Sequence, residues 1–302
     1  MADPMTVFDR RTVRLHRERA AKGLEGFDFL FAEVGERLAD RLDDVTRRFP
    51  MALDLGCHTG ILAGRLAGRG GIETLVACDL SEAMARRAGP LALTADEERL
   101  PFAEGVFDLV LSNLSLHWVN DLPGALVQIR RALRPDGLFL GALFGGATCR
   151  ELRQALAEAE IAQEGGLSPR VSPLAEVRDA GNLLQRAGFA LPVADSDTLT
   201  VSYADPLKLM ADLRGMGEAN AALARRRTPT RRATLAAAAK RYQSLFATAD
   251  GRVPATFEVI YLTAWAPHPS QQKPARPGSA SARLADALGV PEIPAGDKAR
   301  PR

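Results

Sequence analysis

The chain of 302 residues is 46% hydrophobic and 25% charged, with a formal net charge of +2. This balance is typical of a soluble globular protein and excludes collagen, coiled coil and wholesale disorder. The small net charge gives no electrostatic sign of nucleic-acid binding. The longest uncharged stretch, residues 259–272, contains two prolines and is shorter than the ~20 apolar residues of a membrane helix.

Cysteine usage and the first residues of the chain predict its compartment. Cys57, Cys78 and Cys149 are far apart and form no CxxC motif, so we expect neither a disulfide framework nor a zinc site. Residues 1–25 mix basic and acidic side chains without an apolar segment, which argues against a signal or transit peptide. We therefore expect a cytoplasmic protein without a metal site.

Residues 1–48 are predicted to form an N-terminal arm followed by an amphipathic helix. The arm, residues 1–25, is charged, and a helix is predicted over residues 10–21. Across residues 27–48, apolar side chains recur at steps of four and three, which is the stripe of an amphipathic helix. Pro50 ends this helix, because proline disfavours helical backbone in the residue before it.

Short apolar runs alternate with helical segments from residue 49 to residue 150, the predicted cofactor-binding core. Strands are predicted at 51–55, 74–78, 90–94, 107–112 and 138–144, and helices at 61–67, 82–88 and 122–133. Continuous apolar strands that alternate with helices indicate a parallel sheet covered on both faces. The fold class predicted here is α/β, with a doubly wound, mostly parallel sheet.

The rest of the chain is predicted to be more helical. Helices are expected at 175–187, 206–216 and 230–246, with an irregular strand near 198–203 and a late strand at 255–265. We assign residues 151–266 to the remainder of the α/β domain, with a helical insertion for a substrate or partner. The proline-rich residues 267–302 are predicted to be a disordered tail.

The most informative stretch joins the first predicted strand to a helix and contains Asp54, Gly56 and Gly60. Gly56 lets the backbone approach a ligand closely, and Gly60 allows tight packing of the helix on the strand. The G-x-G-x-x-G and G-x-x-x-x-G-K-[ST] patterns of phosphate-binding loops are absent. Asp54 inside the turn would repel a pyrophosphate but would accept a cationic ligand.

Acidic residues also follow the second and third strands. Asp79 ends the second strand, at a spacing from Gly60 that suits hydrogen bonds with two ribose hydroxyls. Asp96, in the segment 95–102, could accept a hydrogen bond from the adenine amino group. Three acids at successive strand ends, without a phosphate loop, predict S-adenosylmethionine, which has a cationic sulfonium and ammonium group and no phosphate.

These residues resemble the class I methyltransferase superfamily, which implies a Rossmann-like sheet. The resemblance rests on residues 54–60, on Asp79, on Asp96 before Leu-Pro-Phe, and on residues 107–113 and 133–138. The predicted cofactor-binding residues are Asp54, Gly56, Cys57, Gly60, Asp79, Leu80, Asp96, Glu97 and Asn113. His58 departs from the superfamily, which usually has a second glycine there, and a non-glycine residue at positive φ costs roughly 1–2 kcal/mol.

A closer resemblance, to the methyltransferase-fold assembly factor of respiratory complex I, extends over nearly the whole chain. It rests on segments outside the cofactor motifs, at residues 8–10, 49–50, 114–123, 144–146, 164–169, 216–220 and 254–256. It implies an S-adenosylmethionine-dependent enzyme that modifies a protein subunit of NADH–ubiquinone oxidoreductase, by methyl transfer or by arginine hydroxylation. A non-catalytic assembly chaperone and the more distantly similar malonyl-carrier-protein O-methyltransferase of biotin synthesis are the alternatives.

Several further residues allow two interpretations each. His117 and Trp118 are candidate substrate residues or packing groups, and residues 164–169 are a candidate lid or an ordinary connection. Seven basic residues form either a docking face for an acidic partner or a solvated helix face. They are Arg225, Arg226, Arg227, Arg231, Arg232, Lys240 and Arg241. No catalytic residue is assigned, and no nucleic-acid partner is expected.

Overall fold

A seven-stranded sheet lies at the centre of the computed structural model, which describes residues 6–272, 279 and 282–291. The strands are β1 Met51–Leu55, β2 Thr74–Asp79, β3 Ala92–Thr94, β4 Phe107–Asn113, β5 Leu133–Phe144, β6 Ala190–Tyr203 and β7 Val253–Trp265. Their order across the sheet is β3-β2-β1-β4-β5-β7-β6. The first five run parallel, whereas β7 is antiparallel to both β5 and β6. The predicted fold class is confirmed.

Helices connect the strands and cover the sheet. They are α1 Arg10–Ala20, α2 Phe29–Asp43, α3 Ile61–Arg65, α4 Glu82–Ala88, α5 Leu122–Ala132, α6 Arg150–Glu164, α7 Val177–Arg186, α8 Pro206–Met216 and α9 Arg232–Phe246. Two hydrophobic clusters lie on opposite faces of the sheet. One packs the strands against α2, α6 and α9, and the other packs them against α5 and α7. The carboxyl ends of β1, β2 and β4 therefore meet at one edge of a sheet that is fixed on both faces.

The N-terminal arm is not a loose charged segment. Asp9 begins α1 by accepting a hydrogen bond from the backbone N–H of Thr12 at 3.1 Å, a capping contact that stabilises a helix start by about 1 kcal/mol. Val13, Arg17 and Ala20 are buried at helical spacing, so one face of α1 packs onto the protein. The backbone N–H of Asp9 also donates to the carbonyl oxygen of Ala221. The described part of the arm, residues 6–25, is folded onto the rest of the protein.

Helix α6 and strand β6 differ most from the sequence expectation. In addition, α2 ends at Asp43, well before Pro50, and β5 begins at Leu133 rather than at residue 138. Helix α6 was not predicted, although Leu152, Ala155, Leu156 and Ala159 form a buried stripe at helical spacing. Strand β6 begins at Ala190, well before the predicted start near residue 198. It pairs with β7 along its length and lies at the edge of the sheet, so most of its side chains are partly or fully exposed. An exposed edge strand lacks the apolar run that marks a buried one.

Residues after Pro267 form a separate unit. Within it, Leu284–Leu288 form the short helix α10. Most of the predicted disordered tail lies outside the described residues.

Candidate functional site

The turn after β1 requires glycine at two positions. Gly56 has φ +73°, and a Cβ there would lie 2.0 Å from Oγ of Ser115. Gly60 has φ +83°, and a Cβ there would lie 2.9 Å from backbone atoms of Ala88 in α4. The backbone N–H groups of Gly56 and Cys57 donate to the carbonyl oxygen of Cys78, which ties the turn to β2. The turn is therefore fixed in a left-handed backbone with no room for side chains at either glycine.

His58 occupies the position where the superfamily usually has its second glycine. Its φ is +49°, in the left-handed region. The buried imidazole packs against the ring of Phe31 in α2, and its Nε2 lies 3.1 Å from the carbonyl oxygen of Asn113. Burial, together with the charge of Arg17, lowers the pKa of His58, so the ring is neutral at pH 7. The His58 ring is thus held between α2 and the end of β4.

Asp54, within β1, is a buried carboxyl group without a partner. It is 1% exposed, and neither of its oxygens has a hydrogen-bond partner among the described residues. Burial, and then the charge of Asp79, raise the pKa of Asp54 to about 7. An unpaired buried carboxylate is costly, and a cationic ligand would supply the missing charge and donors. This residue fits the ammonium group of S-adenosylmethionine.

Asp79 and Glu97 are also fully buried, but a guanidinium from α1 lies between them. Nη1 of Arg17 lies 3.3 Å from Oδ2 of Asp79 and 2.8 Å from Oε1 of Glu97. Its Nη2 donates to Oγ of Ser115 at 2.9 Å, and that hydroxyl donates to Glu97 at 2.6 Å. Asp79 also accepts hydrogen bonds from the backbone N–H groups of Ser81 and His58. The acid predicted to bind the ribose is already hydrogen-bonded to the protein.

A second arginine of α1 closes the same acidic pocket. Arg10 is paired with Glu97 and donates to Oδ1 of Asp96 at 2.6 Å. Burial alone would raise the pKa of Glu97, but Arg17 and Arg10 outweigh it and hold that pKa below its ordinary value. The side chain of Asp96 is 33% exposed, whereas that of Glu97 is 0% exposed. Glu97, rather than Asp96, is therefore the deeper acid of this segment.

Two arginines of α1, Arg10 and Arg17, were not among the predicted site residues. The available signal was the position of Arg17, four residues after Val13 and three before Ala20 on the buried helix face. An arginine in an apolar stripe requires buried acidic partners. Leu80, one of the predicted cofactor residues, packs against the small apolar cluster that includes Val13 and Trp118.

Two other predicted cofactor residues are engaged within the protein. The amide nitrogen of Asn113 donates to the carbonyl oxygen of Phe31 at 2.8 Å and so joins β4 to α2. Cys57 is buried in the turn, and burial raises the pKa of its thiol. The turn, Asp54, Asp79 and Glu97 are thus brought together, while the side chain of Asn113 bonds to a neighbouring helix.

His117 and Trp118 lie in a 3₁₀ turn, Leu116–Trp118, just after β4. His117 Nε2 and Trp118 Nε1 each lie 2.9 Å from Oε2 of Glu218. All three residues line a cavity of about 420 Å³. The carbonyl oxygen of Trp118 accepts a hydrogen bond from Arg10, so this cavity adjoins the acidic pocket.

Part of the basic run is neutralised within the protein. Arg225 pairs with Asp9 of the α1 cap, Arg226 pairs with Glu164, and Arg241 pairs with Glu158. Gly165 ends α6 with φ +69°, and the segment that follows reaches the cavity at Pro169.

Among the described residues, no group of three or more His, Cys, Asp or Glu side chains is placed to hold a metal ion. In the same described part of the chain, no helix is long and apolar enough to cross a membrane.

The chain is similar to known proteins over most of its length. Residues 53–141 match the family described as "Methyltransferase domain". The protein named arginine-hydroxylase NDUFAF5, mitochondrial, from Danio rerio is 46% identical over 289 residues, which cover 93% of this chain and 89% of that protein. The human protein of that name is 46% identical over 284 residues, covering 92% and 82%. A malonyl-[acyl-carrier protein] O-methyltransferase from Halorhodospira halophila is 38% identical over 268 residues, covering 85% and 88%.

Solved structures share the fold at low sequence identity. Phosphoethanolamine N-methyltransferase 2 of Haemonchus contortus, in complex with phosphomonomethylethanolamine and S-adenosylhomocysteine, has a TM-score of 0.53 at 17% identity. The match covers 85% of this chain and 60% of that one. The YcgJ protein of Bacillus subtilis has a TM-score of 0.53 at 14% identity, covering 76% and 98%.

The relatives correct one prediction. The arginine hydroxylases from fish, human and rat are named as mitochondrial proteins. The expectation of a cytoplasmic protein is therefore wrong: it rested on residues 1–25, whose mixture of charges does not determine the compartment.

Proposed function

We propose a function from the premise that this chain belongs to the family of the arginine hydroxylase NDUFAF5: it binds S-adenosylmethionine in its methyltransferase-fold cleft and modifies an arginine of a complex I subunit. The single observation that carries the cofactor assignment is the buried, unpartnered carboxyl group of Asp54 beside the glycine turn. The family relationship supports the choice of substrate.

The residues around the turn would hold the cofactor at its two ends. Asp54 would receive the cationic ammonium group, and Gly56 would let the turn approach it closely. Asp79 would accept hydrogen bonds from the ribose hydroxyls, as acids at this position do in nucleotide-binding α/β folds. When bound, S-adenosylmethionine supplies an electrophilic methyl group on a sulfonium sulfur.

Cofactor binding at Asp79 requires Arg17 to give up one contact. The distance from Arg17 to Asp79 is 3.3 Å, longer than its contacts with Glu97 and Ser115 at 2.8 and 2.9 Å. The Asp79 contact is therefore the weakest of the three. In this proposal, ribose hydroxyls replace Arg17 at Asp79 while the guanidinium keeps Glu97 and Ser115.

The cavity next to this cleft suits a cationic substrate better than an anionic one. Three arginines line it, and each is ion-paired: Arg225 with Asp9, Arg226 with Glu164, and Arg170 with Glu160. A malonyl carboxylate could pair with one of these arginines only by displacing the acidic side chain that already binds it. This observation weighs against the malonyl-carrier O-methyltransferase, despite the identity shared with that family.

The test compares the mass of the candidate complex I subunits from a wild-type strain and from a strain lacking this protein. An arginine that carries one extra oxygen supports hydroxylation, and one that carries an added methyl group supports methyl transfer. Complementation with Asp54→Asn should leave the subunit unmodified, whereas Glu33→Gln, an exposed change on α2, should restore the modification. Identical subunit masses in the two strains, with normal assembly rescued by Asp54→Asn, would contradict the proposal and favour a non-catalytic chaperone.

A further inference from the structure

The cavity beside the acidic pocket is lined by the carboxylate of Glu218, and only one of its two oxygens has hydrogen-bond partners among the described residues. Glu218 follows the end of α8, where Gly217 adopts φ +86° and the backbone N–H of Glu218 donates to the carbonyl oxygen of Leu213 at 2.8 Å. Its side chain is 4% exposed and lines the cavity. The left-handed glycine thus turns the chain so that an acidic side chain is buried directly after a helix.

The two oxygens of Glu218 have different surroundings. Oε2 accepts hydrogen bonds from Nε2 of His117 and Nε1 of Trp118, both at 2.9 Å. Oε1 is buried and has no hydrogen-bond partner among the described residues. Two ring donors therefore fix the carboxylate in place and leave Oε1 without a donor. A buried acceptor without a donor costs free energy unless a ligand donates a hydrogen bond to it.

The charge balance of the cavity leaves Glu218 as an acceptor for a cation. Burial alone would raise the pKa of Glu218, but the surrounding groups, His117 first and then Arg17, together outweigh burial and lower it, so the group is ionised at neutral pH. Arg17 also contributes to this field, although its hydrogen bonds go to Asp79, Glu97 and Ser115.

Aromatic and aliphatic side chains form the other walls of the cavity. Trp118 and Phe144 lie on the side of the sheet, and Leu152 and Leu213 come from α6 and α8. A guanidinium can donate N–H groups to a carboxylate while its flat face packs on an aromatic ring, and its methylene chain suits apolar walls. An ammonium ion is more strongly hydrated and gains less from such walls.

We propose that Glu218 determines substrate specificity, with Oε1 accepting a hydrogen bond from the guanidinium of the arginine that is modified. This inference rests on the proposed function, because it concerns the arginine side chain that this function takes as substrate. His117 and Trp118 are positioning residues in this arrangement, since their ring N–H groups orient the carboxylate. Both follow β4 by a few residues and come directly after Ser115 and Leu116, and Ser115 lies against Gly56 of the predicted cofactor turn.

The experiment uses the full chain and two small probes of nearly the same shape, N-acetyl-arginine amide and N-acetyl-citrulline amide. Citrulline replaces the cationic guanidinium by a neutral urea group. In NMR titrations the arginine probe should bind wild-type protein at least tenfold more tightly than the citrulline probe. Equal affinity of the two probes, or no binding of the arginine probe, overturns the inference and needs no variant.

Glu218→Gln then tests the residue itself. The glutamine carbonyl can still accept hydrogen bonds from His117 and Trp118, so the fold should be kept, and the preference for arginine over citrulline should disappear. Glu151→Gln is the matched control, because Glu151 is equally buried but bonds to Thr256 and does not line the cavity. An unchanged preference in Glu218→Gln contradicts the inference.

The same variants separate the two proposals. If Glu218→Gln still modifies the complex I subunit with an unchanged KM, Glu218 does not bind the substrate, although the proposed function stands. If the wild-type strain shows no modified subunit, the proposed function fails, whatever the probes do.

Discussion

Buried carboxyl groups at the two ends of the predicted cofactor cleft differ in whether they have cationic partners. Asp54 and Glu97 are both almost completely shielded from water, yet within the described part of the chain only Glu97 has cationic partners, Arg10 and Arg17. As a result the pKa of Asp54 is raised by burial and by Asp79, and the pKa of Glu97 is held down by the two guanidiniums. Among the described residues, the protein supplies a counter-charge for Glu97 and none for Asp54.

This difference shows which part of the cleft is structural in the cofactor-free protein. Helix α1 is held on the protein by buried charge pairs and by the apolar contacts of Val13 and Ala20. Asp54 contributes no pair, so its carboxyl group weakens the cofactor-free fold wherever it is ionised. Substitutions at the two ends should therefore change stability in opposite directions.

The largest effect is expected for Glu97→Gln. Removing one partner of a buried ion pair costs about 3–5 kcal/mol. In this variant Arg17 would keep only Asp79, and Arg10 would keep Asp96, as a close acidic partner. Urea unfolding should show this loss, whereas Glu33→Gln, which breaks an exposed pair with Arg37, should cost less than about 1 kcal/mol. Equal losses in the two variants would show that the Glu97 cluster does not hold α1.

A smaller effect is expected in the turn that joins the two ends. Gly60→Ala places a methyl group 2.9 Å from the backbone of Ala88, at φ +83°. Gly68→Ala is the matched control, because Gly68 has φ +80° and open space around its Cβ position. Both variants pay the cost of the backbone conformation, about 1 kcal/mol, and only Gly60→Ala adds an overpacking cost of about 1–3 kcal/mol. Similar midpoints of thermal unfolding for the two variants would mean that α4 shifts to make room for the methyl group without a loss of stability.

Per pH unit, the smallest effect is the change in stability contributed by Asp54. In the folded protein its pKa is about 7, whereas in the unfolded chain it returns to about 4. The unfolded state binds fewer protons between these values, so this group makes stability fall as pH rises from about 4 to about 7. Asp54→Asn should remove that part of the slope, at most about 1.4 kcal/mol per pH unit. The check is urea unfolding of both proteins across this range, and parallel curves would indicate that Asp54 is paired in the cofactor-free protein.

The sequence was sufficient for the sheet and the glycine turn because both depend on local patterns. Apolar runs mark buried parallel strands, and residues 54–60 combine an acid with two glycines at a strand end. Asp54, Gly56 and Asp79 were placed correctly at one edge of the sheet for this reason. The assignment of these residues to a cofactor remains a prediction.

The contacts made by α1 could not be derived in the same way. Arg17 is far from Asp79 and Glu97 in sequence, and a charged segment at the start of a chain resembles a solvated arm. Only the apolar neighbours of Arg17 on its helix face indicated burial. The contacts of Glu218 could not be predicted either, because its ring donors, His117 and Trp118, lie about 100 residues earlier in the chain.

The most direct test of this account is calorimetric titration of S-adenosylmethionine into the wild-type chain and into Arg17→Met. Binding to the wild type must break the contact between Arg17 and Asp79, a charged hydrogen bond of about 1.5 kcal/mol or more. The variant should therefore bind the cofactor about tenfold more tightly, while Asp54→Asn should bind it more weakly than wild type. Weaker binding by Arg17→Met, or no binding of the cofactor by the wild type, would contradict the account.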